Sequence, residues 1–142
     1  MARAISGINK GFSMISMAIL VGIWSTTCIQ TQISNVNQGY VKEIYSIEEN
    51  GSYEYVREWY QDSNCTEPKG TEMESGTLEI GSKLQGLFVP ENTFEANFSS
   101  QSGIDLGAIN VFQGKYIKIA RGVRNSTMRN TMLSLFEFKK LQ

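Results

Sequence analysis

Hydrophobic and polar residues alternate along two neighbouring stretches in the first half of the chain. Residues 40–47 and 52–60 both follow the two-residue period of a strand with one buried face, and Tyr53, Tyr55, Arg57 and Trp59 share a face in the second. Between the stretches stands Asn50-Gly51, a dipeptide typical of hairpin turns. The pattern predicts an antiparallel β-hairpin.

Further strand-length segments follow, separated by turn residues. They are residues 72–74, 77–80, 84–89, 94–98, 104–112, 116–120 and 132–141. A short helix at residues 126–135 is the alternative for part of the last segment. About eight short strands at spacings near ten residues, without a long amphipathic helix, favour an antiparallel barrel or sandwich. We therefore expect an all-β fold, an antiparallel barrel of about eight strands.

The N-terminus has the layout of an export signal. Two basic residues occur among the first ten, residues 12–24 are apolar apart from two serines, and small polar residues follow at 25–27. The apolar run is too short to span a bilayer comfortably, so no stable membrane span is expected. We expect a signal peptide at residues 1–27 and a single β-barrel domain at 28–142; a buried N-terminal helix and an uncleaved anchor are the alternatives.

The chain contains two cysteines, Cys28 and Cys65. In an exported protein such a pair predicts a disulfide, and closing a loop of about 38 residues would stabilise the fold by about 4 kcal/mol. Lipidation of Cys28, with Cys65 free, is one alternative. A catalytic thiol at Cys65 is disfavoured because no histidine is present to deprotonate it.

Composition narrows the classes of function. The 142 residues are 41% hydrophobic with 15 aromatics, enough for a folded core. Beyond the predicted signal peptide 11 basic and 14 acidic residues remain, a net charge of −3 that gives no basic surface for nucleic acid.

The absence of histidine removes the commonest general base and metal ligand. The spacing of the acidic residues indicates no catalytic pair; the candidates are Asp62, Glu67, Glu72, Glu74 and Asp105. We read Asp62 as bonding its own turn. The sequence therefore predicts no enzyme, no catalytic residue, no metal and no cofactor.

Two short motifs that contain the cysteines resemble motifs of other protein families. Trp24 and Cys28 form Trp-x3-Cys, and residues 60–65 form Tyr-x-Asp-x2-Cys. Over residues 24–81 the chain resembles small exported bacterial proteins of unassigned function. The second motif is similar to one in the lipocalin-like domains of the adenomatosis-polyposis-coli-down-regulated family, which are longer and carry more cysteines. The resemblance implies a lipocalin-like barrel.

An eight-stranded barrel has room for one small ligand. The residues we select as ligand-binding are Tyr55, Trp59, Phe88, Phe94, Phe98 and Arg124, with a filled aromatic core as the alternative. The segment Arg121 to Arg129 would dock an anionic head group, or its charges are simply solvated.

The resulting hypothesis is an exported lipocalin-like protein, periplasmic or extracellular, that binds a small apolar or amphipathic ligand without catalysis. Lipid anchoring through Cys28 is the alternative location. An extracytoplasmic protein-interaction module, of inhibitor or immunity type, is the alternative function and would have a protein partner. Sequons at Asn50, Asn64, Asn97 and Asn125 would be glycosylation acceptors in a eukaryotic host.

Overall fold

A computed structural model describes residues 17–32 and 38–141 of the chain. This part contains one short helix and nine strands: α1 Met17–Leu20, β1 Gly22–Ser25, β2 Ile29–Gln32, β3 Gln38–Ile47, β4 Ser52–Tyr60, β5 Pro68–Lys83, β6 Thr93–Ser100, β7 Gly103–Phe112, β8 Tyr116–Ala120 and β9 Phe138–Lys140. The helix is one turn long, so the described fold is almost entirely β.

The strands close into an antiparallel barrel. From β3 to β9 each strand pairs with the next, β9 pairs with β1, and β1 returns to β3. β1 lies against residues 44–47 of β3 and β2 against residues 38–41, so these two short strands share one position in the wall. The predicted eight-stranded antiparallel barrel is confirmed, and its closure removes the free edges that would otherwise invite aggregation.

The β3–β4 hairpin is confirmed, and its turn explains the glycine. Ile47 is in register with Tyr53, and the amide of Glu48 donates to the carbonyl of Ser52 at 2.9 Å. Gly51 has φ of 90°, the left-handed conformation that closes a three-residue hairpin loop.

Side chains fill the barrel beside α1. The largest that are fully buried there include Leu20, Trp24, Phe94, Phe98 and Ile109. The indole Nε1 of Trp24 donates to the carbonyl of Leu20 at 2.8 Å, which anchors α1 to β1. We call this the closed end of the barrel; the opposite end, where β4 leads into β5 and β8 ends, is the mouth.

The interval at residues 72–80 is one strand, not the expected two. Ser75-Gly76 is no turn: it lies within β5, at the point where the strand passes from pairing with β4 to pairing with β6. A Cβ at Gly76 would lie 2.1 Å from the carbonyl oxygen of Ser99. The glycine therefore permits a close approach of two strands.

Two other expected segments also differ. The expected strand at residues 84–89 is wrong, because this stretch is a loop in which Leu87 and Phe88 are each 96% exposed. Of residues 132–141 only β9 is a strand, and the described residues 126–135 contain no helix. The Ser134 hydroxyl accepts from the amide of Phe136, a local bond that replaces regular pairing there.

The predicted signal peptide falls partly on residues 1–16, which lie outside the described residues. Its remainder includes α1 and β1, and β1 was not predicted as a strand. Cleavage after Thr27 would remove Trp24, whose side chain is fully buried in the core. The cleavage position stays a prediction. No helix in the described ranges is both long and apolar enough to cross a membrane.

The predicted disulfide between Cys28 and Cys65 is confirmed. It joins the β1–β2 connection, directly before the buried Ile29, to the β4–β5 loop. Within that loop the Asp62 carboxylate accepts from the amides of Thr66 and Glu67, each at 2.9 Å. Hydrogen bonds from Thr66 and then Glu67 lower the pKa of Asp62 to about 2, which accords with its predicted role in its own turn.

Reduction of the disulfide should lower the free energy of unfolding by about 4 kcal/mol, because the unfolded chain regains the entropy of the open loop. Urea unfolding with and without reductant measures the difference. The double variant Cys28→Ser/Cys65→Ser is the control and should be insensitive to reductant. Equal midpoints for the oxidised and reduced wild type would contradict the prediction.

Candidate functional site

Polar side chains gather inside the barrel at the mouth. Glu43 on β3 and Glu74 on β5 line the interior with Tyr45 and Tyr55, and Asp105 lies near the start of β7. Arg121, the first residue after β8, stands among them. Charged groups thus lie on the inner side of the wall, above the apolar core.

Arg121 is the centre of this cluster. Its guanidinium donates to Asp105 Oδ2, to Tyr45 Oη at 2.9 Å and to Glu74 Oε2 at 3.0 Å. The Cζ atom lies 4.3 Å from the centre of the Phe98 ring, which forms the floor beneath it. The partners come from β3, β5, β6 and β7, so one side chain connects four strands.

Glu74 joins the cluster to the outer surface. Its Oε2 also accepts from Tyr53 Oη at 2.7 Å, and its Oε1 accepts from Arg124 at 3.1 Å. Arg124 is more exposed than Arg121, with 46% of its side chain accessible against 23%. Arg124 therefore covers the cluster from the solvent side.

A second polar group lies on the β3–β4 side of the mouth. Tyr55 Oη donates to Glu43 Oε1 at 3.0 Å, and Arg57 lies 3.8 Å from the other Glu43 oxygen. The Arg57 guanidinium stands 5.0 Å from the ring centre of Trp59. Glu43 is therefore held by a tyrosine on one oxygen and a cation near the other.

These groups surround a cavity of about 350 Å³, which we call the mouth cavity. Its lining is Thr26, Glu43, Tyr45, Tyr55, Glu74, Asp105, Ile119, Arg121, Arg124, Ser134, Phe136 and Phe138. A second cavity of about 610 Å³ shares Tyr55, Glu74 and Arg124 with it and reaches the β6–β7 turn. Aromatic rings and charged groups therefore face one space, the arrangement expected of a small-molecule site.

Burial and the cluster's charges shift several pKa values. Burial raises the pKa of Tyr45 to about 12, against the opposing effect of Arg121. Burial, followed by carboxylate neighbours, also raises the pKa values of Tyr53 and Tyr55. Burial alone would raise the pKa of Glu74, but hydrogen bonds and charges from Tyr53, Arg121 and Arg124 lower it overall. At neutral pH the site holds neutral tyrosines and ionised Glu74.

The structure separates the six residues selected as ligand-binding. Tyr55 and Arg124 line the mouth cavity. Phe98 and Phe94 are buried in the core, with Phe98 beneath Arg121. The half-buried Trp59 lies beside Arg57, and the exposed Phe88 lies on a loop at the closed end.

The guanidiniums expected to dock an anion already have partners. Arg121 and Arg124 pair with Glu74 and Asp105. Arg129 donates to the carbonyl of Gly107 at 2.8 Å and lies 3.5 Å from Glu95. An incoming anion would have to compete with these groups.

Sequence reasoning named Arg121 in a basic segment and Glu74 and Asp105 as candidate acids, but did not predict that they meet, and it did not select Glu43 or Tyr45 for the site. The sequence did contain one indication that Glu43 belongs to the site. It shares its strand face with Val41 and Tyr45, which are both buried in the barrel. An acidic residue on a buried face calls for a partner. The partners of Glu74 and Asp105 lie far away in sequence, 47 and 16 residues distant at Arg121.

The arrangement is suited to binding. Carboxylates, guanidiniums and tyrosine hydroxyls provide hydrogen-bond donors and acceptors around an apolar floor. In the described part of the chain, no three acidic or cysteine side chains stand close enough together to hold a metal ion. Comparison with protein-family models, curated proteins and solved structures finds no match to this chain.

Tyr45, Tyr53 and Tyr55 should ionise only at strongly alkaline pH, because folding disfavours their phenolates. A raised pKa contributes stability that is present below the unfolded value of about 10 and lost as pH rises through the folded value. Absorbance at 295 nm should therefore show four of the six tyrosines titrating late, these three and Tyr60, whose pKa is raised by its hydrogen bond to Glu58. The three inside the barrel should ionise together with loss of the fold. In Tyr45→Phe the late group should fall to three. All six titrating together near pH 10 in a folded protein would contradict this.

Proposed function

We propose that this chain is an exported lipocalin-like binding protein that holds a small amphipathic ligand at the barrel mouth and performs no catalysis. The observation that carries the proposal is the mouth cavity, where rings of Tyr45, Tyr55, Phe136 and Phe138 stand beside charged groups. The disulfide supports a location outside the reducing cytoplasm.

The packing of the barrel limits the ligand's size. Phe94, Phe98 and Ile109 are buried at the centre with at most 2% of each exposed, so a long chain has no path to the closed end. A cavity of about 350 Å³ lies within the range of small-molecule sites. The ligand is therefore a compact molecule with an apolar body and a polar group.

A substitution that fills the mouth cavity tests this proposal. Ser134 lines the cavity from a segment without regular secondary structure, so Ser134→Trp should place an indole in the space without disturbing a strand, at the loss of the bond from the Phe136 amide. Thr127→Trp, at an exposed position on the same segment, is the matched control. Three probes that share a phenyl ring are suitable: 2-phenylethylamine, 2-phenylethanol and 3-phenylpropionate.

At least one probe should saturably shift the backbone amide resonances of cavity residues in a ¹H–¹⁵N titration. Its affinity should fall at least about tenfold in Ser134→Trp, a loss of about 1.4 kcal/mol, and stay unchanged in Thr127→Trp. No saturable shift with any probe, or equal affinity in both variants, would contradict a binding site at the mouth.

One observation favours the alternative of a protein-interaction module. On the outside of the barrel Phe88, Phe112, Met132 and Leu135 border a groove of about 440 Å³, and Leu135 is 89% exposed. Exposed apolar clusters of this kind often mark interaction sites. Cross-linking in the native extracellular fraction should then capture a partner with wild type and lose it with Phe88→Ser; equal capture by both would contradict the alternative.

A further inference from the structure

The two adjoining cavities at the mouth carry an excess of negative charge. Their linings together contain four carboxylates, from Glu43, Glu72, Glu74 and Asp105, and two guanidiniums, from Arg121 and Arg124. The Arg57 guanidinium, 3.8 Å from Glu43, is a third cation beside them, which leaves an excess of one negative charge. Clefts with walls of low dielectric constant focus such a field and raise the local concentration of ions of the opposite sign. The mouth therefore favours cations over anions.

One carboxylate oxygen of Asp105 accepts no hydrogen bond. Its side chain is 7% exposed, and Arg121 bonds only Oδ2, while Oδ1 is buried and accepts no hydrogen bond in the structure. Arg124 Nε lies 3.7 Å from Oδ1, an ion pair beyond hydrogen-bond distance. A buried carboxylate oxygen that accepts no hydrogen bond is costly, so this atom would gain from a donor that reaches it.

Arg124 stands where such a donor would enter. It touches Glu74 Oε1 at 3.1 Å and approaches Asp105 Oδ1, two contacts that a ligand's ammonium group could make instead. Its side chain is nearly half exposed and belongs to a segment without regular secondary structure. Swinging Arg124 outward into solvent would open Oδ1 without disturbing a strand.

Aromatic rings supply the remainder of a cation site. Tyr45, Tyr55, Phe136 and Phe138 line the mouth cavity, and ring faces attract ammonium groups as well as apolar ligand bodies. Tyr45 and Tyr55 lie with their ring centres 4.7 Å apart. The two rings pack against each other with their planes tilted by 31°, and both line the cavity close to the acidic groups.

From this geometry we infer that the ligand of the mouth cavity is a small organic cation, a protonated amine on an aromatic or short aliphatic body, whose ammonium group displaces Arg124 and donates to Asp105 Oδ1 and Glu74. The inference rests on the proposed function and names its ligand class. Arg124 is then a competitor of the ligand, because it occupies the position that the ammonium group takes.

The three phenyl probes test the ligand class on the unaltered protein. 2-Phenylethylamine should bind at least about tenfold more tightly than 2-phenylethanol, because a charge-assisted hydrogen bond replaces a neutral one. 3-Phenylpropionate should bind most weakly. A ranking in which the alcohol or the acid equals the amine, with shifts at the mouth cavity, would overturn the inference and leave the proposed function standing. No binding by any of the three would instead defeat the proposed function.

Two substitutions test the position of the ammonium group. Asp105→Asn should reduce the preference for the amine over the alcohol to about twofold or less. Arg124→Gln should tighten amine binding severalfold, because the competing cation is gone, and leave alcohol binding nearly unchanged. Lys115→Gln, which removes the same charge from the exposed β7–β8 turn at the closed end, is the control and should leave amine affinity unchanged.

Arg124→Gln decides the question if Asp105→Asn fails to fold after losing its ion pair with Arg121. Weaker amine binding in Arg124→Gln would show that Arg124 contacts the ligand rather than competing with it, and would overturn the proposed position. If Lys115→Gln tightened amine binding equally, the effect of Arg124→Gln would be one of net charge. That result would also overturn the proposed position of the ammonium group.

Discussion

The ion-pair cluster around Arg121 is the constraint on which the mouth of this barrel depends. One guanidinium bonds Asp105, Tyr45 and Glu74 and lies over the ring of Phe98. It marks the boundary where the barrel interior changes from apolar to polar. Two carboxylates inside a β-barrel would be strongly destabilising alone, and breaking a buried pair from one side leaves an uncompensated charge. The cluster therefore keeps the polar groups in fixed positions around the cavity.

The two ends of the barrel are stabilised in different ways. At the closed end α1, Trp24 and the phenylalanines of β6 fill the interior, so that end contributes hydrophobic stabilisation. At the mouth the disulfide links the β1–β2 connection to the β4–β5 loop. Apolar packing stabilises the closed end, and the disulfide stabilises the mouth. Because the mouth is cross-linked, polar groups can line it.

The strand pattern of this chain was readable from sequence where one strand face is buried and the other is solvated. Residues 40–60 meet that condition, and their hairpin was predicted correctly. Residues 84–89 do not meet it, because Leu87 and Phe88 are apolar but exposed. Their hydrophobicity, without alternation, led to the wrong prediction of a strand. β1 was missed because the apolar run that contains it also has the features of an export signal, and composition alone cannot separate a buried strand from a signal segment.

The sequence by itself determined the all-β class, the approximate number of strands, the disulfide and the lack of histidine chemistry, because these follow from local periodicity and residue counts. Only the tertiary structure decided which side chains meet. Arg121 bonds Tyr45, 76 residues away in sequence, and Glu74, 47 residues away. Phe98 packs beneath the Arg121 guanidinium rather than lining an open cavity. Barrel closure sets these contacts through strand order and register, since each depends on pairings between distant segments that no short stretch of sequence encodes.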